Sequence, residues 1–345
     1  MTERPSGANE VEDPMTEKHA GIRLPPRLLP FPRSISPEAG AALRRLVGED
    51  GTPLNARHAM PPPEDHDAWR LLKAAADAQY AVAVKGLAGI LRASARTMRI
   101  GESTIHVATP ETPERTDCAY IDLHGGALVL GGGEACKAGA RMQADQHGVV
   151  CYGVDYRMPP DHPYPAALDD CLAAYRHVLA HHAPANIVIG GRSAGGNLAV
   201  AMLLRGRDEG LPMPAAMVLL SPEVDLTESG DSFQVNRLAD VVLPGSLMAN
   251  NLLYAHGADL AHPYLSPLFG DLRGLPRAFI QSGTRDLFLS NAVRLHRTLR
   301  RSGVPAELHV FEAMPHGGFM GNTPEDRELA DEVSRFVRSS WGAPA

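Results

Sequence analysis

The chain has 345 residues, of which 44% are hydrophobic, 21% charged and 5% aromatic, and its 33 basic and 40 acidic side chains give a formal net charge of -7. A chain of roughly 300 residues can bury about three quarters of its unfolded surface, so one large core in a single domain is within reach. The mildly acidic balance has no basic block, which excludes the footprint of a nucleic-acid binder, and the nearest approach to a membrane span, Ala81 to Ile90, is broken by Lys85.

Residues 1–20 are polar and lack an apolar signal core, which predicts a disordered tail on a cytoplasmic protein, with Met15 as an alternative start. A proline-punctuated arm runs from Leu24 to Pro32. Ser36-Pro37 reads as a helix cap followed by proline in the first turn, and predicts a helix to about Leu46. A loop rich in Pro and His, Asn55 to His66, leads to a long helical stretch, Asp67 to Leu91. The first hundred residues therefore read as mainly helical.

The pattern changes at about Met98. Met98–Ile100 and Thr104–Ala108 flank Gly101-Glu102 as a hairpin. Strands are then expected at Ala119–Leu123, Val149–Val154, Asn186–Ile189, Ala215–Leu220, Ala278–Gln281 and Ala306–Phe311. Helices are expected at Cys136–Gln146, Ala166–His181, Ala194–Arg205, Leu289–Arg300 and Pro324–Val337. In the last, Thr323 caps, Pro324 follows, and Leu329, Val333, Phe336 and Val337 make one apolar stripe. Short apolar strands alternating with amphipathic helices predict an α/β fold, a mostly parallel sheet covered by helices on both faces. Asp225 to Pro263 interrupts the rhythm and reads as an insertion.

Four cysteines, at 118, 136, 151 and 171, contain no C-x-x-C pair and read as reduced thiols. His177 and His181 share a helix face, but no H-E-x-x-H accompanies them; a solvated helix face is the reading, and no metal is expected. Gly131-Gly132-Gly133 is not followed by G-K-[ST] and reads as a flexible loop. Arg157, Asp161-His162 and Asp169-Asp170 read as structural polar contacts.

In such a sheet, ligands sit beyond the carboxyl ends of the strands. The sharpest strand-to-helix turn is Gly191-Arg192-Ser193-Ala194-Gly195, a G-x-S-x-G that lifts the Ser193 hydroxyl clear of the sheet at a helix N-terminus. A serine hydroxyl needs a base to take its proton. Of fifteen histidines three lie beyond residue 290, and only His316, in a loop directly after a strand, is placed and freed for that role. Asp286 leaves the end of the preceding strand and would hold the imidazole in its correct tautomer. Its bland alternative is an ion pair with Arg285, and Asp225 is the runner-up acid. His124-Gly125-Gly126-Ala127 follows another strand. The N–H groups of Gly126 and Ala127, with Gly125 as a further candidate, combine with that of Ala194 as donors to a developing oxyanion.

These segments together resemble the α/β-hydrolases of the hormone-sensitive-lipase-like esterases, bacterial family IV, over about residues 98–341. His124-Gly-Gly-Ala is similar to HGGG. Tyr156 to Asp170 is similar to YRLAPEHPYPAALDD. Gly191 to Gly196 is similar to GDSAGG, and Ser221 to Thr227 to SPWxDLT. Asp286-Leu-Phe falls where that family has DPL, and Met314-Pro-His316-Gly is similar to its catalytic-histidine segment. The resemblance implies Ser193 as nucleophile, Asp286 as acid and His316 as base. It also implies a helical N-terminal cap at 21–97 over a catalytic domain at 98–345, with a cap-like insertion at about 225–263. Three departures stand out: Ala127 for the third glycine of HGGG, Arg192 for the Asp beside the nucleophile, and Ser290-Asn291 for an acidic pair.

The expected activity is serine carboxylesterase action on short- to medium-chain acyl esters, with no metal or organic cofactor. Lactone hydrolysis on the same triad is an alternative. A non-catalytic small-molecule receptor on the same scaffold is another, but the plant gibberellin receptors lack the histidine kept here as His316. The partner expected is a small-molecule ester, and homo-oligomers are left open.

Overall fold

The computed structural model describes Ile22 and residues 28–57, 59–87, 89–243 and 245–342. The tail expected at 1–20 lies outside them. Among the described residues one sheet is built from β1 (Ser94–Ile100), β2 (Ser103–Thr109), β3 (Ala119–Leu123), β4 (Val150–Asp155), β5 (Ile187–Arg192), β6 (Ala216–Leu220), β7 (Arg277–Gly283) and β8 (Ala306–Phe311). The spatial order is β1-β2-β4-β3-β5-β6-β7-β8. The expected hairpin is β1–β2, antiparallel with Met98 opposite Ile105, and β2 pairs antiparallel with β4. The other pairings are all parallel.

Strand alternation explains why both faces are covered. Ile121, Leu123, Ile187, Ile189, Met217, Leu219 and Ile280 join one core with α4 (Ala166–Leu179), α5 (Ala194–Asp208) and α8 (Leu289–Arg301). Tyr120, Val188, Val218 and Phe279, one residue out of step, join a second core with α3 (Glu134–His147) and α9 (Pro324–Ser340). The stripe expected on α9 is the buried one: Leu329, Val333, Phe336 and Val337. Each such side chain contributes about 1.5–3 kcal/mol on burial. At the start of α9, Thr323 Oγ1 accepts from Asp326 N at 3.1 Å, and Asp326 reaches back to the Thr323 N–H.

The N-terminal half of the expectation also holds in outline. α1 (Pro37–Arg45) is capped by Ser36, whose Oγ accepts from Ala39 N at 3.1 Å. Ser36 N–H and Oγ–H both donate to Glu325, at 2.7 and 2.8 Å. Ala39, Ala42 and Leu43 pack with Val241, Met314 and Phe319. α2 (His66–Leu87) stops short of the expected Leu91. Its Trp69 is buried with Val129 and Leu253, and donates its indole N–H to Pro62 O. The segment read as an insertion carries α6 (Ser232–Val235) and α7 (Met248–Ala255). Asn186 closes a single 3-10 turn, Pro184–Asn186, rather than opening β5.

Arg157 clamps Asp170 through Nε and Nη2, tying the loop after β4 to the start of α4, and Arg70 pairs with Asp161; both are structural contacts. All four cysteines are buried free thiols, and burial pushes Cys118 up to about 11. Among the described residues no helix is long and apolar enough to cross a membrane.

Candidate active site

The carboxyl ends of β3, β5, β7 and β8 carry every site residue expected from the sequence. Ser193 sits between β5 and α5 with φ 57° and ψ -121°, a left-handed conformation that a non-glycine residue adopts only when its surroundings enforce it. The enforcement is visible: Ser193 N donates to Leu220 O of β6 at 2.9 Å, and Ser193 O accepts from Gly196 N and Glu223 N. Gly195 lets the turn close, since a Cβ there would lie 1.8 Å from Leu123 O. Ser193 is 6% exposed.

The loop after β3 lies against this turn. A Cβ on Gly125 would be 3.3 Å from Ser193 Cβ, so the two segments are in contact. Gly126 has φ 125°, and Ala127 and Leu128 have φ 51° and 63°. Within this turn Val129 and Leu130 donate back to Gly126 O. The N–H groups of Gly125, Gly126, Ala127 and Ala194 meet no acceptor among the described residues. His124 braces the loop. Its Nδ1 bonds Gly125 O at 2.8 Å, its ring stacks on Tyr156 at 4.0 Å, and Tyr156 Oη donates to His124 O. Burial pushes His124 down to about 4, so it is neutral there.

His316 and Asp286 come together as expected. His316 Nδ1 bonds Asp286 Oδ1 at 3.1 Å, and the imidazole meets the Phe288 ring edge-on at 4.8 Å. Asp286 is fully buried, and Ser282 Oγ–H and Phe288 N–H also donate to its carboxylate. Burial alone would raise Asp286. The charge and hydrogen bond of His316, with those other donors, outweigh it and hold the carboxyl below its ordinary value. The two loops are stitched by Ala313 N donating to Thr284 Oγ1 and Arg285 N to Met314 O.

The runner-up acid is engaged elsewhere. The Asp225 carboxylate is taken by Thr227, Ser229 and Arg294. Arg192, which departs from the family's Asp, reaches across from the Ser193 turn and donates Nη1–H to Gly317 O at 2.5 Å. It thereby links the Ser193 turn to the His316 loop.

One residue escaped the sequence reading. Asp240 is fully buried beside the pair, and its Oδ2 accepts from Leu287 N at 2.8 Å and His316 N at 3.3 Å. Nothing in the polar stretch around it sets it apart from a surface aspartate. Two groups of three metal-capable side chains occur among the described residues: His124, Cys136 and Asp155, and Asp240, Asp286 and His316. The hydrogen bonds just given account for the second.

A sequence profile described as alpha/beta hydrolase fold matches residues 120–320. An acetyl-hydrolase of Streptomyces hygroscopicus is 32% identical over 247 residues, 70% of this chain and 82% of its own. Among solved structures, esterase E25 superimposes with a TM-score of 0.86 at 32% identity, covering 94% of this chain and all of its own. An esterase from the bacterial hormone-sensitive lipase family gives 0.76 at 30% identity, covering 89% and 99%. The chain belongs to the α/β-hydrolases, and within them to the hormone-sensitive-lipase-like ester hydrolases.

Proposed function

We propose that the chain is a serine carboxylesterase in which Ser193 is the nucleophile, His316 the general base and Asp286 the residue that orients it. The observation that carries this reading is the His316–Asp286 bond, buried beside a strained turn that presents Ser193. His316 takes the Ser193 proton as the hydroxyl attacks the ester carbonyl. The oxygen becomes an oxyanion facing the N–H groups of Gly126, Ala127 and Ala194, with Gly125 adjoining; one such donor contributes about 3 kcal/mol to the transition state. His316 then protonates the leaving alcohol, and water repeats the sequence to release the acid.

Ala127 packs against Phe233, Leu247, Leu287 and Phe288, an apolar cluster next to the oxyanion donors. The substrates proposed are short- to medium-chain acyl esters. Trp69 of α2, Leu253 of α7 and Val129 pack together, which supports reading α2 within the 21–97 segment and the 225–263 insertion as parts of one cap. The same donors and nucleophile serve a lactone.

The test is hydrolysis of p-nitrophenyl acetate and butyrate, together with adduct formation by a sulfonyl fluoride. Ser193→Ala should lose about 10⁴-fold or more in kcat and all labelling. A wild type with neither hydrolysis nor adduct, or a Ser193→Ala variant that keeps its rate, overturns the reading.

A further inference from the structure

The acid end of the triad holds a carboxylate that the mechanism above leaves unused. Asp240 lies between α6 and α7 and is fully buried. Its oxygens are spent differently. Oδ1 turns back on its own loop, accepting from Val242 N at 2.9 Å and Leu243 N at 3.2 Å. Oδ2 crosses to the site and accepts from the N–H of Leu287, next to Asp286, and from the N–H of His316. These donors are 47 and 76 residues away along the chain. Ligand atoms of Asp240, Asp286 and His316 lie within 4.8 Å of one another.

Two buried carboxylates at this spacing repel, and the repulsion is relieved when a positive charge forms between them. In ester hydrolysis that charge appears on His316 as it takes the serine proton. The ionisable groups that bear on Asp240 are Asp286 and His316, while the Arg192 guanidinium bears on Asp286 from the β5 side. We propose that Asp240 is a positioning residue: it latches the Asp286 and His316 loops through Oδ2 and supplies a second negative charge that favours the imidazolium of the transition state. This rests on the triad reading above. Burial and then the Asp286 charge push Asp240 up to about 6, so it is ionised at neutral pH and loses its charge just below.

Asp240→Asn keeps the size and an amide oxygen for the latch but removes the charge. With p-nitrophenyl butyrate, kcat should fall about tenfold with KM held within about twofold, and the acid limb of kcat/KM should move about one unit to lower pH. A latch without a charge effect would lower kcat and leave the acid limb in place. Should the variant fail to fold, the wild type supplies the test. The downfield proton of the His316–Asp286 bond, assigned by its loss in Asp286→Asn, should respond in two steps with one near pH 6. An unmoved acid limb, or a single-step proton titration, overturns the proposal. Ser193→Ala is the control: if it stays active the triad reading itself fails, whereas an inactive Ser193→Ala beside an unaltered Asp240→Asn overturns this inference alone.

Discussion

Raising the pH should work against the fold most strongly at Glu223. It follows β6, is fully buried, and neither carboxylate oxygen has a hydrogen-bond partner of good geometry among the described residues. Its backbone N–H braces the nucleophile turn through Ser193 O. Burial, then the charge of Glu228 and more weakly that of Asp225, push the carboxyl from its ordinary 4.5 up to about 8, against a smaller lowering by the neighbouring Asn251 amide. Between those values the folded chain holds a proton that the unfolded chain has shed. Stability from this group is therefore fully present below about 4.5, declines as pH rises, and is gone above about 8. The interval from 4.5 to about 8, at about 1.4 kcal/mol per pH unit, is worth at most about 5 kcal/mol; water entry on ionisation lowers it. Glu223→Gln keeps the shape and cannot ionise. In urea unfolding its stability relative to wild type should improve by roughly 2–5 kcal/mol between about pH 5 and about pH 9. Two stability–pH curves that stay parallel across that range would refute the reasoning.

Two further outcomes follow from the site. Asp286→Asn presents an amide to His316 Nδ1 and favours the wrong tautomer, so kcat should fall on the order of 10³–10⁴-fold with KM little changed, as steady-state kinetics would record. Ala127→Gly relieves a non-glycine residue at φ 51°. It should keep kcat within about threefold and raise stability by up to about 1 kcal/mol in urea unfolding, less what its Cβ gains from the Phe233–Phe288 cluster.

Much of this architecture could be read from local chemistry. Ser36-Pro37 and Thr323-Pro324 carry their helix starts in side chains one to three residues away, and both caps form as expected. The short, near-continuous apolar runs of β5, β6 and β7, alternating with amphipathic helices, already implied two covered faces. The nucleophile turn was legible because its glycines answer a steric demand within five residues. Asp240 was not, because its meaning arises only where three loops distant in sequence meet. Arg192 was legible as a departure but not as a link, since Gly317 O is 125 residues away. The end of α2 was overrun because Ile90 and Leu91 extend the apolar pattern after the helix has stopped at Leu87.

The docking of α1 bears on protein engineering. Ser36 grips Glu325, and Ala39, Ala42 and Leu43 rest on Met314 and Phe319, which bracket His316, the proposed general base. Exchanging N-terminal segments between homologues to alter selectivity would thus also remove a prop from the His316 loop. A chimera that keeps residues 31–46 native isolates the change in selectivity from a loss of turnover.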